Sequence, residues 1–149
     1  GTSLGITTSY LSSANPDSEV ATMEGSGSII SIAQKNFNDQ QLKNVRIIEG
    51  NFDNTLEEAV NNLSTIDFAF LDGNHREEPT LRYFNTILGK VNNSTIIIVD
   101  DIHWSEGMEE AWAEICRHDA VTLSIDLFFI GLVFINPDFK IKQHFKIRF

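Results

Sequence analysis

The sequence predicts an α/β fold with a mostly parallel sheet that closes with an antiparallel hairpin. Short apolar, β-branched segments alternate with amphipathic helical segments along the chain, which is typical of parallel strands joined by right-handed crossover helices on both faces. The segments Phe68–Leu71 and Ile96–Val99 are continuously apolar, as expected of strands buried on both faces. Only a few residues around Gly131 separate the last two strands, too few for a crossover helix, so this pair is predicted to be antiparallel.

The elements follow one another in a regular order. Six strands are predicted, at Glu19–Met23, Val45–Glu49, Ile66–Leu71, Thr95–Val99, Val121–Asp126 and Leu132–Ile135. Four helices are predicted between the first five strands, at Gly27–Phe37, Thr55–Leu63, Glu77–Leu88 and Glu106–Arg117. The tail, Phe139–Phe149, alternates Phe or Ile with Lys, His or Arg, a pattern compatible with one more edge strand.

The composition limits the partners that the chain can bind. Its 149 residues suffice for one domain, and its net charge of -10 repels phosphate backbones and anionic membranes. Nucleic acid and membrane surfaces are therefore not expected as partners. The single cysteine, Cys116, excludes an intrachain disulfide and is predicted to be buried, and no bilayer-spanning segment is visible. We expect a cytoplasmic protein, whose apolar C-terminal strands are compatible with a homo-oligomer interface.

The chain opens on a glycine turn that leads into a helix, Gly1–Thr8. Glycines at positions 1 and 5 let the backbone approach a ligand closely, and the amides of the following helix point toward it. A tight loop without a ligand is the alternative. Such a turn normally follows a strand, so either the native chain extends upstream or another segment takes the place of that strand.

Two strand ends carry residues suited to an adenosine group. Glu24 ends the first strand, roughly 20 residues after the glycine turn, the spacing of an acid that accepts hydrogen bonds from both ribose hydroxyls. A solvated strand end or a helix cap is the alternative. The segment Gly50–Asp53 ends the next strand, where Phe52 can pack on a purine and Asn51 or Asp53 can bind its exocyclic amine. An Asx turn is the competing interpretation.

The strongest candidate site in the sequence is a group of three aspartates. Asp72 follows the strand that ends at Leu71, and Asp100 and Asp101 follow the next strand. If these strands are neighbours, three carboxylates meet at one mouth of the sheet, where their repulsion calls for a cation or a proton. Oxygen ligands of this kind suit Mg²⁺ or Ca²⁺, which can orient an acceptor hydroxyl and lower its pKa. Alternatively, one of the pair caps the next helix and Asp72 belongs to a turn.

Two histidines lie close to these acids in sequence. His75 stands three residues beyond Asp72, on a loop where an imidazole can take the proton of an acceptor hydroxyl. His103 is a second candidate, as a ligand or as a substrate contact. Trp104 either lines the acceptor pocket or belongs to the core. A surface histidine without a role is the alternative for both imidazoles.

The ordered set of motifs is similar to that of class I S-adenosylmethionine-dependent methyltransferases. Gly1–Thr8 resembles their motif I without the preceding strand and acidic residue, and Phe70–His75 and Val99–Asp101 resemble metal-dependent O-methyltransferases of the catechol, caffeoyl-coenzyme A and sugar-hydroxyl types. The resemblance covers nearly the whole chain. It implies a Rossmann-like sheet of order 3-2-1-4-5-7-6 that lacks its first central strand, within a single, N-terminally truncated domain over residues 1–149.

The resemblance also implies roles for individual residues. Glu24 matches the ribose-binding acid, and His75 stands where the catechol enzymes place a lysine base and the sugar-modifying enzymes a histidine. The metal positions fall on Asp72, Asp100 and Asp101, with Asp101 replacing the usual Asn and making the site more anionic. The implied cofactors are S-adenosyl-L-methionine and Mg²⁺ or Ca²⁺, and the cofactor-binding positions are Gly1, Ser3, Gly5, Glu24, Gly50, Asn51, Phe52 and Asp72.

The expected activity is methyl transfer to a hydroxyl of a small molecule or sugar, assisted by a divalent ion. The acceptor classes are sugar hydroxyls, catechols and small natural-product hydroxyls. One rival is an NAD(P)-dependent oxidoreductase, which is disfavoured because three nearby carboxylates repel a pyrophosphate and attract a sulfonium. The other rival is a catalytically inactive, methyltransferase-like binding module, since a fold does not guarantee an activity.

Overall fold

The computed structural model describes residues 1–148, so the predicted tail strand is tested up to Arg148 and its last residue, Phe149, lies outside the described residues. The chain divides into two compact units, Gly1–Ala59 and Val60–Phe149. The single, N-terminally truncated domain stays a prediction. None of the helices among residues 1–148 combines the length and the apolar character needed to span a bilayer.

The first unit is a parallel strand pair with its connecting helices. Strands β1 (Val20–Glu24) and β2 (Val45–Glu49) pair in parallel and are joined by α2 (Gly27–Asp39). Helix α1 (Ile6–Ala14) precedes β1, and α3 (Phe52–Asn61) begins in this unit. Phe37 and Ala33 of α2 are almost completely buried, so the crossover helix supplies the apolar side of this unit.

The second unit is a five-stranded mixed sheet with two helices. Its elements are β3 (Ile66–Leu71), α4 (Glu77–Leu88), β4 (Val91–Asp100), α5 (Glu106–Arg117), β5 (Leu123–Asp126), β6 (Ile130–Phe134) and β7 (Gln143–Lys146). The strands lie in the order β3-β4-β6-β5-β7. Strand β6 is antiparallel to both of its neighbours, whereas β3 with β4 and β5 with β7 are parallel pairs.

These orders confirm the predicted fold class. Strands β1 to β6 correspond to strands 2 to 7 of the expected sheet, so the pieces 3-2 and 4-5-7-6 appear here as β2-β1 and β3-β4-β6-β5. No strand precedes α1 among the described residues, and β1 and β3 belong to separate sheets. The tail forms the predicted additional edge strand, β7, beside β5.

Four elements have the predicted bounds, namely β2, β3, α4 and α5. Helix α3 begins three residues earlier than predicted, at Phe52, and β4 begins earlier, at Val91. The hairpin turn also differs from the prediction, because it lies at residues 127–129 and Gly131 belongs to β6. A Cβ at Gly131 would lie 2.5 Å from the Trp112 ring, so this glycine admits the indole of α5 and makes no turn.

The prediction that the central strands are buried on both faces is wrong within the second unit. In β4, Ile97 and Val99 are buried, whereas Ile96 and Ile98 are only partly covered, and Phe68 of β3 is 42% exposed. The buried face is the one that α5 covers, since Trp112 packs on the strand beside Val99. Cys116 is half-buried, not fully buried as predicted, and this burial raises the pKa of its thiol.

Candidate active site

The glycine turn of the first unit has a backbone that only glycine accommodates readily. Gly5 has a φ of +83°, and a Cβ there would lie 2.5 Å from Cε1 of Phe37. The Gly5 N–H donates to the Thr2 carbonyl at 2.9 Å, and the Thr2 N–H donates to the Met23 carbonyl at 2.8 Å. The turn is therefore tied to the end of β1, and α1 starts directly from it.

The carboxylate of Glu24 is held in a fixed orientation by two backbone amides. The Ser3 N–H donates to Oε2 and the Ser26 N–H donates to Oε1, each at 3.0 Å. Because a carboxylate oxygen can accept two hydrogen bonds, both oxygens keep a second acceptor position. A Cβ at Gly1 would lie 3.6 Å from the Phe52 ring and 3.7 Å from Glu24, so the turn, the acid and the aromatic ring are close together.

The segment after β2 forms the Asx turn that was the competing interpretation. The Asn51 Oδ1 accepts a hydrogen bond from the Asp53 N–H at 2.9 Å, at the start of α3. Gly50 before it has a φ of +139°, and a Cβ there would lie 2.6 Å from the Thr55 methyl group. The side-chain carbonyl of Asn51 thus organises the helix start, and purine binding by this segment stays a prediction.

In the second unit, the structure brings together the acids and the histidine that the sequence singled out. The His75 Nε2 lies 3.5 Å from Asp72 Oδ1, and its Nδ1 lies 3.6 Å from Asp101 Oδ2. Asp72 and Asp100 follow directly on Leu71 and Val99, which are paired in register between β3 and β4. One imidazole therefore stands between carboxylates that come from the ends of two neighbouring strands.

The acidic cluster, which consists of Asp72, His75, Asp100 and Asp101, has an unusual backbone conformation and a shifted carboxyl pKa. Asp101 has a φ of +53° and Asn74 a φ of +52°, the left-handed region that costs a residue with a side chain free energy. The pKa of the Asp100 carboxyl is raised by its burial, and then by the charges of Asp72 and Asp101, against the opposing effects of the Asp101 N–H and His75. Ser105, not an aspartate, caps α5 by accepting from the Met108 N–H at 3.3 Å, so the capping alternative is wrong.

The sequence of the chain matches the model of a methyltransferase domain family over residues 1–102. The chain belongs to the class I S-adenosylmethionine-dependent methyltransferases. No curated protein matches it in sequence.

Solved methyltransferase structures share this fold at low sequence identity. The S-adenosylhomocysteine-bound methyltransferase PaMTH1 of Podospora anserina has a TM-score of 0.75 at 20% identity, over 91% of this chain and 69% of that one. An O-methyltransferase from Bacillus cereus in complex with S-adenosylhomocysteine has a TM-score of 0.74 at 23% identity, over 90% and 71%. The O-methyltransferase TomG from Streptomyces achromogenes, which is involved in tomaymycin synthesis, was solved with S-adenosylmethionine and has a TM-score of 0.77 at 18% identity, over 91% and 70%.

The donor chemistry of this methyltransferase fits the divalent ion that the resemblance implies. Asp72, Asp100 and Asp101 offer oxygen ligands only, and the pKa of Asp100 is raised first by its burial and then by the two neighbouring carboxylates, whose repulsion a hard cation would relieve. The side chains are not preassembled, however, because no group of three His, Cys, Asp or Glu residues within 1–148 is arranged to hold a metal. The ion stays a prediction.

The second predicted histidine of the methyltransferase is engaged on both sides of its ring. His103 Nδ1 lies 2.9 Å from Glu109 Oε1, and its Nε2 lies 3.0 Å from Asp126 Oδ2. Its ring also stacks on Phe128, with ring centroids 5.5 Å apart. These contacts hold His103 in place in the loop after β4, and its role as a ligand or a substrate contact stays a prediction. Trp104 is 72% exposed, which excludes the core alternative for this residue.

Sequence reasoning missed three residues that position the candidate side chains Glu24 and His103. The Ser26 amide orients Glu24, and Asp126 and Glu109 hold His103. Asp126 ends a strand in the same way as Asp100 does, and this signal was present in the sequence. Ser26 acts through its backbone, so its side-chain identity carried no comparable signal.

Proposed function

We propose that this chain transfers a methyl group from S-adenosylmethionine to a hydroxyl group of a small molecule or sugar, with a divalent ion at the carboxylates and His75 as the general base. The observation that carries the proposal is the position of His75, with its two ring nitrogens 3.5 and 3.6 Å from Asp72 and Asp101. An imidazole at the carboxyl ends of neighbouring strands stands where ligands bind in open α/β sheets. The low-identity O-methyltransferase structures support the same class of acceptor.

In the proposed mechanism, His75 removes the proton of the acceptor hydroxyl. S-Adenosylmethionine supplies an already activated methyl group. The acceptor oxygen forms a bond to the methyl carbon while the carbon–sulfur bond breaks, its electron pair stays on sulfur, and the hydroxyl proton passes to an imidazole nitrogen. The carboxylates of Asp72 and Asp101 stabilise the positive charge that this ring acquires. A positioned base of this kind contributes roughly 10²- to 10⁴-fold in rate.

In this proposal, the remaining residues bind the cofactor and the divalent ion. Glu24 offers one further acceptor position on each carboxylate oxygen, which suits the two hydroxyls of a ribose. Asp72, Asp100 and Asp101 would hold the divalent ion, which would supply Lewis-acid polarisation of the acceptor oxygen. A cation bound here would offset the repulsion from Asp72 and Asp101, which adds to burial in raising the pKa of Asp100.

Isothermal titration calorimetry of the chain with S-adenosylhomocysteine and with NAD separates the proposal from its rivals. We expect S-adenosylhomocysteine to bind at the site that includes Glu24, and NAD, whose pyrophosphate the carboxylates repel, not to bind there. Glu24→Gln should weaken S-adenosylhomocysteine at least tenfold, whereas Glu19→Gln, which removes the same charge elsewhere in the first unit, should not. NAD binding that Glu24→Gln weakens, without binding of S-adenosylhomocysteine, would support the oxidoreductase. A chain that binds neither S-adenosylhomocysteine nor Mg²⁺ would be the inactive module.

Turnover tests the general base. With radiolabelled S-adenosylmethionine and a panel of catechols and sugars, His75→Ala should lose at least 10²-fold in kcat while S-adenosylhomocysteine affinity stays within threefold of the wild type. His118→Ala, which removes a histidine from the end of α5, is the matched control and should retain turnover. Wild-type turnover by His75→Ala would remove this residue from the mechanism.

A further inference from the structure

A second cavity in the carboxyl-terminal unit lies outside the acidic cluster. It is a groove of about 890 Å³ between α5 and the edge strand β7, a volume within the range of small-molecule sites. Its cationic and imidazole lining consists of His103, Arg117, Lys142, His144, Lys146 and Arg148. None of the residues in the acidic cluster lines it, so this groove needs its own explanation.

The charge of the groove is opposite to that of the chain. Four of the 11 Lys and Arg residues and two of the four His residues line it, in a chain of net charge -10, whereas Glu109 is the only acidic residue that lines it within residues 1–148. The two nearby acids are already engaged. Glu109 faces His103 at 2.9 Å, and Asp126 accepts from the Phe128 N–H and faces His103 and Lys146. The groove thus keeps an excess of positive charge.

The register of the sheet explains how these cations come to one face. In β7, His144 lies beside Ser124 and Lys146 beside Asp126, and Ser124 and Asp126 are both buried. His144 and Lys146 share one face of β7 because alternate residues of a strand do so, and Lys142 and Arg148, which flank the strand, line the same groove. The alternation of the tail therefore places a row of cationic side chains along the groove and leaves Ile141, Phe145 and Ile147 on the other side.

A second feature of the groove, independent of its charge, is the indole N–H of Trp112 in its wall. Trp112 lines the groove and is 4% exposed, and its Nε1–H has no hydrogen-bond partner among the described residues 1–148. The Cε3, Cζ3 and Cη2 atoms of the indole pack against Gly131, and Nε1 is buried. A buried N–H without a partner is costly, so an acceptor from a ligand would repay it.

We propose that this groove binds a phosphate-bearing small molecule with more than one anionic group, about the size of a nucleotide. Phosphate oxygens accept charge-assisted hydrogen bonds from Arg and Lys. Arg117 and Lys142 lie at the carboxyl end of α5, where the Lys142 ammonium donates to the uncharged Arg117 and His118 carbonyls and so keeps its charge. Lys146 lies 3.6 Å from Asp126, and the Arg148 guanidinium lies over the Phe128 ring. The site is separate from the proposed methyl-transfer site and does not depend on that function.

The binding test uses inorganic pyrophosphate and adenosine diphosphate, titrated into the chain in metal-free buffer by calorimetry. Both should bind, with affinities that fall as salt rises, and adenosine should not. Arg148→Gln and Arg117→Gln should each weaken pyrophosphate at least fivefold. Arg46→Gln, which removes the same charge from the first unit, is the matched control. Citrate binding with equal or higher affinity would reassign the groove to carboxylates and overturn the phosphate assignment.

The two tryptophans provide a site-specific readout. The chain contains only Trp104 and Trp112, so its ¹⁵N-labelled form gives two indole N–H resonances. Pyrophosphate should shift the Trp112 resonance and leave the exposed Trp104 in place. This measurement needs no variant and is independent of the folding of any mutant. An unmoved Trp112 resonance at saturating pyrophosphate, or equal losses of affinity in Arg46→Gln and the groove variants, would overturn the proposal.

Discussion

The glycine at the start of α1 gives the sharpest test of the proposed cofactor turn. We expect Gly5→Ala to destabilise the first unit and to weaken S-adenosylhomocysteine binding. Two separate causes act at this position, since φ is +83° and the new Cβ would lie 2.5 Å from the Phe37 ring. Gly25→Ala is the matched control, because its Cβ would meet nothing closer than the Gly50 carbonyl at 3.8 Å.

The magnitude follows from the two causes. Left-handed backbone costs an alanine roughly 1–2 kcal/mol relative to glycine, and overpacking a filled interior costs roughly 1–3 kcal/mol. Phe37 is 1% exposed, so its ring has little room to move. The free energy of unfolding should therefore fall by about 2–5 kcal/mol, a large part of the stability of an ordinary domain. Gly25→Ala should change it by less than about 1 kcal/mol.

Hydrogen exchange read by mass spectrometry can assign the loss to the correct unit. Peptides from residues 1–59 should lose protection in Gly5→Ala, while the fluorescence of Trp104 and Trp112 reports separately on the second unit. Phe37→Leu in the Gly5→Ala background should recover the steric part and leave the backbone part, giving a favourable coupling free energy. Equal stability of Gly5→Ala and Gly25→Ala would refute the reasoning on both counts.

Three further perturbations test the second unit by urea unfolding. Gly131→Ala should cost about 1–3 kcal/mol, because its Cβ would lie 2.5 Å from the Trp112 ring; a neutral effect would contradict the packing. Asp126→Asn should cost about 1.5–3 kcal/mol at pH 7. The pKa of Asp126 is lowered, since hydrogen bonds from the Phe128 N–H and His103 outweigh the raising effect of burial. Its contribution is therefore present above the ordinary pKa of aspartic acid and is lost as the pH falls through the lower folded value, so the variant and the wild type should converge in acid. Asp100→Asn should raise stability in metal-free buffer by less than about 1 kcal/mol, since burial and then the neighbouring carboxylates disfavour the charge of Asp100 while solvent screens much of this effect. It should also abolish Mg²⁺ stabilisation, and a loss of stability in metal-free buffer would contradict the reasoning.

Local patterns in the sequence were enough to predict most of the fold. Helices α4 and α5 were predicted to the residue, because each has an amphipathic repeat and acidic residues in its first turn. The start of α3 was misplaced because Asn51 begins the helix with an Asx turn, and this residue type serves turns and ligands equally well. The error at Gly131 has a similar origin, since a glycine that admits an indole from another element looks in sequence like a glycine that makes a turn.

Some contacts of the candidate residues follow from the sequence pattern, whereas those of His103 do not. Asp72, His75 and Asp101 lie at the ends of consecutive parallel strands, so the topology alone predicts that they meet. His103 differs, because its partners lie 6 and 23 residues away in sequence and the second partner reaches it only through the hairpin. That hairpin inserts β6 between β4 and β5, and Asp126 comes within reach of the loop after β4 as a result. The sequence neighbours of a histidine do not reveal a non-local carboxylate partner of this kind, because only the order of the strands brings the two residues together.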